Sequence, residues 1–173
     1  MGRHVVTINR APVLTLWASV VAERLGFDRD EALTLGKAVA GLTAQSKGRR
    51  LGIFKPGKDK GKKPRGQSRG EEFWVELCGR GIPAIDTAEG VRAVVKDKPV
   101  DPVAVGIYLD KKFGEDLEDV RDAMKELAAS MKRENLADQA FRLYEQFRPD
   151  IPAGKRGWGA VGDLDLDYIR SLA

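Results

Sequence analysis

The sequence predicts a mainly α-helical protein, a helical hairpin plus a larger helical body with one short N-terminal strand, and three observations carry that expectation. Apolar side chains recur at three- and four-residue spacing in several windows. Residues suited to helix caps bracket those windows. Only Val5-Val-Thr-Ile8 is a β-branched run suited to a strand from the outset. With 173 residues, 42% of them hydrophobic, the chain is long enough to bury a core without disulfide or metal staples.

Taken in order, Pro12 suits the first turn of a helix, where its missing N–H costs nothing. Val13, Trp17, Val20, Val21, Arg24 and Leu25 then line one mostly apolar face, and Gly26 can end the helix in the left-handed conformation. Asp28 and Glu31 have capping-box spacing and open a second helix, whose inward stripe is Ala32, Leu35, Val39 and Leu42. Residues 12–45 thus form a helical hairpin, thinned by Gly36 and Gly41. Phe73, Trp74, Leu77 and Cys78 fit one helical face, with a strand over Phe73–Leu77 as the alternative. Asp86 and Glu89 repeat the capping-box spacing ahead of Val91, Val94 and Val95, predicting a short helix. Asp101-Pro102 starts a helix that runs to about Phe113 and stops at Gly114. Leu117, Val120, Met124, Leu127 and Met131 mark the clearest helix, with acids crowding its first turn and Lys132 and Arg133 its last. Leu136, Ala140, Leu143, Tyr144 and Phe147 mark another, stopped by Pro149. These elements divide one domain into a hairpin (1–46), a basic flexible loop (47–70), a helical body (71–148) and a glycine-rich tail (149–173) packed on the body.

The formal net charge of +4 conceals a split. Residues 47–70 carry ten Lys/Arg and a single acid, a net of +9, while residues 71–173 are net −6. From Lys55 to Gly70 there is no apolar side chain, so this stretch cannot offset the entropy of ordering and is expected to be a mobile loop. Leu51, Ile53 and Phe54, just before it, are expected to dock on the core. Such a local field attracts polyanions, and flexible cations bind phosphate by releasing counterions. The candidate nucleic-acid-binding residues are Lys47, Arg49, Arg50, Lys55, Lys58, Lys60, Lys62, Lys63, Arg65 and Arg69. The basic run has no amphipathic helical pattern, which argues against a membrane surface.

Val21, Ala22, Leu25, Gly26, Phe27, Ala32 and Leu35 fall where the bacterial helix-turn-helix motif places apolar, small and glycine residues. The hairpin therefore resembles that family over about twenty residues, and the resemblance implies DNA binding by the second helix. The sequence departs from it where base contact would begin: Asp28, Arg29, Asp30 and Glu31 set three carboxylates against one arginine at the groove entrance. An ordinary helical hairpin is the rival reading. Placing the end of the second helix, at Lys47-Gly-Arg49-Arg50, on a phosphate backbone suits the charges better.

Other chemistry is sparse. One cysteine, Cys78, and one histidine, His4, leave no Cys/His metal spacing and no visible hydrolase triad. The lone thiol fits a small core residue in a reducing, cytoplasmic setting. The first residues lack the pattern of a signal peptide, and no apolar run is long enough to span a bilayer. Glu71, Glu72 and Glu76 read as a solvated face. Asp163, Asp165 and Asp167 resemble the opening of an EF-hand loop, but Tyr168 stands where glycine is required, so a helix cap by Asp165 or Asp167 is the expected use. Trp158, between glycines, is an anchor for the tail or a stacking platform. No cofactor is implied. Three functional classes stand: a non-enzymatic nucleic-acid binder, DNA ahead of RNA; an interaction module whose loop docks on an acidic protein; and, last, an enzyme with a carboxylate or lysine site.

Overall fold

The computed structural model describes residues 5–50, 72–149 and 160–173. It corrects the mainly α, all-α expectation. Of the described residues 61% are helical and 24% lie in strands, and the strands form two antiparallel sheets, so the fold is mixed α/β. The chain order is β1 (Val5–Asn9), α1 (Arg10–Arg24), α2 (Arg29–Arg50), β2 (Glu72–Leu77), β3 (Arg80–Thr87), β4 (Gly90–Val95), β5 (Lys98–Pro99), α3 (Pro102–Phe113), a 3-10 turn (Gly114–Asp116), α4 (Leu117–Ala129), α5 (Arg133–Phe147), β6 (Val161–Asp165) and α6 (Leu166–Ser171).

Helix α1 is the centre of the molecule. Every residue from Pro12 to Ala22 is buried, Thr15 and Ser19 included. The apolar stripe read from the sequence is one side of a helix that is apolar almost all round, and such a helix is stable only when covered on every side. The polar side chains of Thr15 and Ser19 are satisfied inside the helix, donating to the carbonyls of Ala11 and Thr15. Trp17 donates Nε1–H to the Ala140 carbonyl at 2.8 Å and meets Phe147 edge-on, with ring centroids 5.3 Å apart. Together those contacts seat α5 on α1.

The capping box at the start of α2 forms as expected. Asp28 N–H donates to Glu31 Oε1 at 2.9 Å, and Glu31 N–H to Asp28 Oδ1 at 2.8 Å. Against α1, Gly36 has no room for a side chain, because a Cβ would collide with Ser19 Oγ and the Thr15 carbonyl oxygen. This glycine sets the close approach of the two helices. Helix α2 extends to Arg50, so residues 47–50, assigned from sequence to the loop, have helical backbone. The other residues of the expected mobile loop, with Leu51, Ile53 and Phe54, lie outside the described residues.

The largest departure lies between residues 72 and 99, where helices were expected and a four-stranded meander stands, in the order β2-β3-β4-β5. The Phe73-to-Leu77 spacing suits a helix and a strand alike, and tertiary packing selects the strand. Two of the hairpins turn through pairs of positive-φ residues, Cys78-Gly79 and Lys96-Asp97, the geometry that matches strand twist. The second apparent capping box is instead the turn between β3 and β4. Thr87 Oγ1 donates to the Gly90 carbonyl at 2.8 Å and accepts from Glu89 N–H at 3.1 Å, which closes the hairpin in place of a helix. Pro83 is tolerated in β3 because the ladder with β4 begins only at Ala84, paired with Ala93.

The later helices follow the sequence reading closely. Asp101 caps α3 by accepting from Val103 N–H at 3.0 Å. Helix α4 ends at Ala129, so Lys132 and Arg133 lie beyond its last turn, and Arg133 opens α5. Strand β6 pairs antiparallel with β1, Val6 opposite Leu164, and brings both ends of the described chain together. Asp165 then caps α6 through Asp167 N–H and Tyr168 N–H. One contiguous cluster of buried side chains joins α1 and α2 to both sheets and to α3 through α6.

Candidate nucleic-acid interface

Helix α2 links the sealed core to the basic segment. Its first half is held by the sheet as well as by α1. Glu31 Oε2 accepts from Val91 N–H at 2.9 Å, and Thr34 Oγ1 accepts from Ala93 N–H at 3.1 Å. Ala32 to Ala40 are buried apart from Lys37. That stretch offers no face to a major groove, whereas Asp28, Arg29 and Asp30, where base contact would begin, are exposed. Val21, Ala22, Ala32 and Leu35 are there for the core. Arg29, at the helix start, pairs with Glu23 at 3.6 Å.

The second half is held at Thr43, where Arg80 Nε donates to Thr43 Oγ1 at 3.2 Å and its guanidinium lies 5.5 Å from the Phe141 ring centre. Beyond this point the last turns of α2 carry Lys47, Arg49 and Arg50. Cations at a helix C-terminus are favoured by the helix dipole. Lys55, Lys58, Lys60, Lys62, Lys63, Arg65 and Arg69 lie outside the described residues. The structure therefore gathers three of the ten sequence-predicted residues onto one helix end.

Lys37 is the one break in the buried stretch of α2. Its Nζ stands 4.0 Å from the centre of the Tyr108 ring on α3. Burial first, and then the charge of Lys112, lower its pKa from the ordinary lysine value. It is a cation committed to an internal aromatic contact.

Trp74 was missed by the sequence reading. Phe73, Val75 and Leu77 face the core, while Trp74 and Glu76 lie on the outer side of β2. Trp74 is 63% exposed and sits opposite Pro83 in the ladder. A Cβ on Gly81 would lie 3.5 Å from Trp74 Cε3 and 3.4 Å from Glu76 Oε2, so indole and carboxylate flank the same glycine. The signal was present as period-two alternation, Glu72-Phe-Trp-Val-Glu-Leu77, with tryptophan in the polar phase.

Residues considered for other chemistry have structural places. Cys78 is buried in the turn after β2, and burial pushes its thiol up to about 12, so it is protonated at neutral pH and is no nucleophile. His4, Glu71 and Trp158 lie outside the described residues. Asp163 accepts from Thr7 Oγ1 at 3.4 Å, and Asp165 is the α6 cap. Among the described residues no group of three or more His, Cys, Asp or Glu is arranged to hold a metal ion. A cavity of about 250 Å³ between α1 and α4 is lined by Val20, Glu23, Arg24, Lys125, Ala128 and Ala129. Its one carboxylate, Glu23, is the partner of Arg29. Among the described residues no helix is long and apolar enough to cross a membrane. No family model, curated protein or solved structure matches the chain.

Proposed function

We propose that this protein binds nucleic acid, DNA ahead of RNA, through phosphate contacts made by residues 47–70. The observation that carries the reading is the net charge of +9 within that segment, in a chain whose other residues sum to −5. Lys47, Arg49 and Arg50 continue the basic run onto the end of a helix whose other end is sealed into the core. That arrangement supports a firmly anchored base for a cationic arm, and phosphate neutralisation requires no further fold.

Electrophoretic mobility shift over a salt series tests the reading. Neutralising about 5–8 phosphates gives a slope of log K against log[salt] of roughly −4 to −7 on duplex DNA. Replacing Lys58, Lys60, Lys62, Lys63 and Arg65 with glutamine is expected to flatten that slope by about 4 and to abolish the shift at physiological salt. A shift that survives these replacements removes the arm from the mechanism. Capture of an acidic protein that persists after nuclease treatment, with no shift on DNA or RNA, replaces nucleic acid by the acidic-partner reading.

A further inference from the structure

An indole is a large apolar surface, and tryptophan is on average among the more buried residues. Trp74 instead stands open on the outer face of an edge strand, over Gly81 and across from Pro83. The same face carries the Glu76 carboxylate, within about 7 Å of the indole edge, since each lies within 3.5 Å of one point above Gly81. Trp74 follows Arg69 by five residues.

We infer that Trp74 is a stacking platform for an unpaired nucleobase, with Glu76 accepting a hydrogen bond from that base's exocyclic amine. The partner class is then single-stranded nucleic acid. This rests on the reading of residues 47–70 as a phosphate-binding arm and names what that arm holds. In a duplex the faces of the bases are already covered by their neighbours, and only an unpaired base can offer a face to the indole. Glu76 repels a phosphate, so it directs the base rather than the backbone toward this part of the strand. Its carboxylate only accepts hydrogen bonds, which suits the N4 amine of cytosine and disfavours the O4 carbonyl of thymine. Cytosine and thymine present similar stacking surfaces, so the choice between them reports on Glu76.

Fluorescence anisotropy with oligo(dC), oligo(dT) and a mixed duplex, each of about 15 nucleotides and at one salt concentration, tests the inference. Wild type is expected to bind oligo(dC) several-fold more tightly than oligo(dT). Trp74→Ala is expected to weaken oligo(dC) binding by about 10-fold while duplex binding stays within about twofold, and Trp74→Phe to recover most of the loss. Glu76→Gln, whose amide both accepts and donates, is expected to erase the preference for oligo(dC), and it reads the same site without altering the indole. Wild-type binding that depends on salt but is unchanged by Trp74→Ala, or weakened equally on single strand and duplex, overturns the platform and leaves the arm standing. Equal wild-type affinity for oligo(dC) and oligo(dT) overturns the role of Glu76. Absence of salt-dependent binding to any of the three overturns platform and arm together.

Discussion

The two halves of α2 differ in charge and in what holds them: Arg29 to Ala40 balances two cations with two acids, whereas residues 41–50 carry three cations and no acid. From Ala32 to Ala40 the helix is closed in by α1 on one side and β4 on another, with Glu31 and Thr34 accepting hydrogen bonds from β4. From Gly41 the hold is lighter, with Leu42 only partly buried against the core and Thr43 buried beside Arg80. Gly41 is exposed, with nothing within 4 Å of where its Cβ would stand, and the last fixed contact described is that of Thr43 with Arg80. Gly36 and Gly41 look alike in sequence, yet one is demanded by a backbone in contact and the other by nothing in its surroundings. A single helix thus serves as core on one end and as support for the basic segment on the other. The packing of its first half fixes the direction in which the second half points.

The sharpest way to break this contrast is at Gly36. Gly36→Ala drives a Cβ into the Thr15 carbonyl, which cannot move without shifting α1, and is expected to cost about 3 kcal/mol. Urea unfolding followed by the fluorescence of buried Trp17 measures it, and a loss below 1 kcal/mol would show that the helices can separate without penalty.

A smaller effect is expected at Glu31, whose two oxygens accept from two different N–H groups, those of Asp28 and Val91. Glu31→Ala is expected to cost about 2 kcal/mol, since it strips the cap and leaves the Val91 N–H without a partner. Glu31→Gln, with one acceptor oxygen for two donors, is expected to cost about half as much. Equal losses in the two variants would mean that one of the two hydrogen bonds contributes nothing. The smallest effect has the opposite sign. Gly41→Ala removes a helix glycine where there is open space, and is expected to stabilise by about 0.5–1 kcal/mol with no change in salt-dependent DNA binding. Destabilisation in the same urea series would reveal a close contact at this end of the helix.

The parts of the fold legible in the sequence were those set by neighbours along the chain. The Asp28–Glu31 box, the Asp101-Pro102 start and the Asp165 cap each involve groups no more than about four residues apart and stand as read, while the Leu117–Met131 stripe holds as one helix only to Ala129. The meander was not legible. Its hairpins turn on Cys78-Gly79 and Lys96-Asp97 rather than on Asn-Gly or Asp-Gly, and Asp86 and Glu89 have the spacing of a capping box where Thr87 closes a turn. The site shows the same division. The charge of residues 47–70 was plain from composition. The exposure of Trp74 was hidden, because its meaning changes with the assignment of its segment: on a helix it shares a face with Cys78, and on a strand it turns away from the core.

By itself, the sequence determined the caps of α2, α3 and α6, one apolar face of α1, and where positive charge is concentrated. Those properties depend on hydrogen bonds and periodicities within a few residues. The tertiary structure decided that residues 72–99 form a sheet, that β1 pairs with β6 across most of the chain, and that Gly36 is a contact while Gly41 is not. It also set the indole of Trp74 on the outside. Each of these depends on which distant segment lies alongside, and strand pairing and helix approach are energies of pairs that no single window contains.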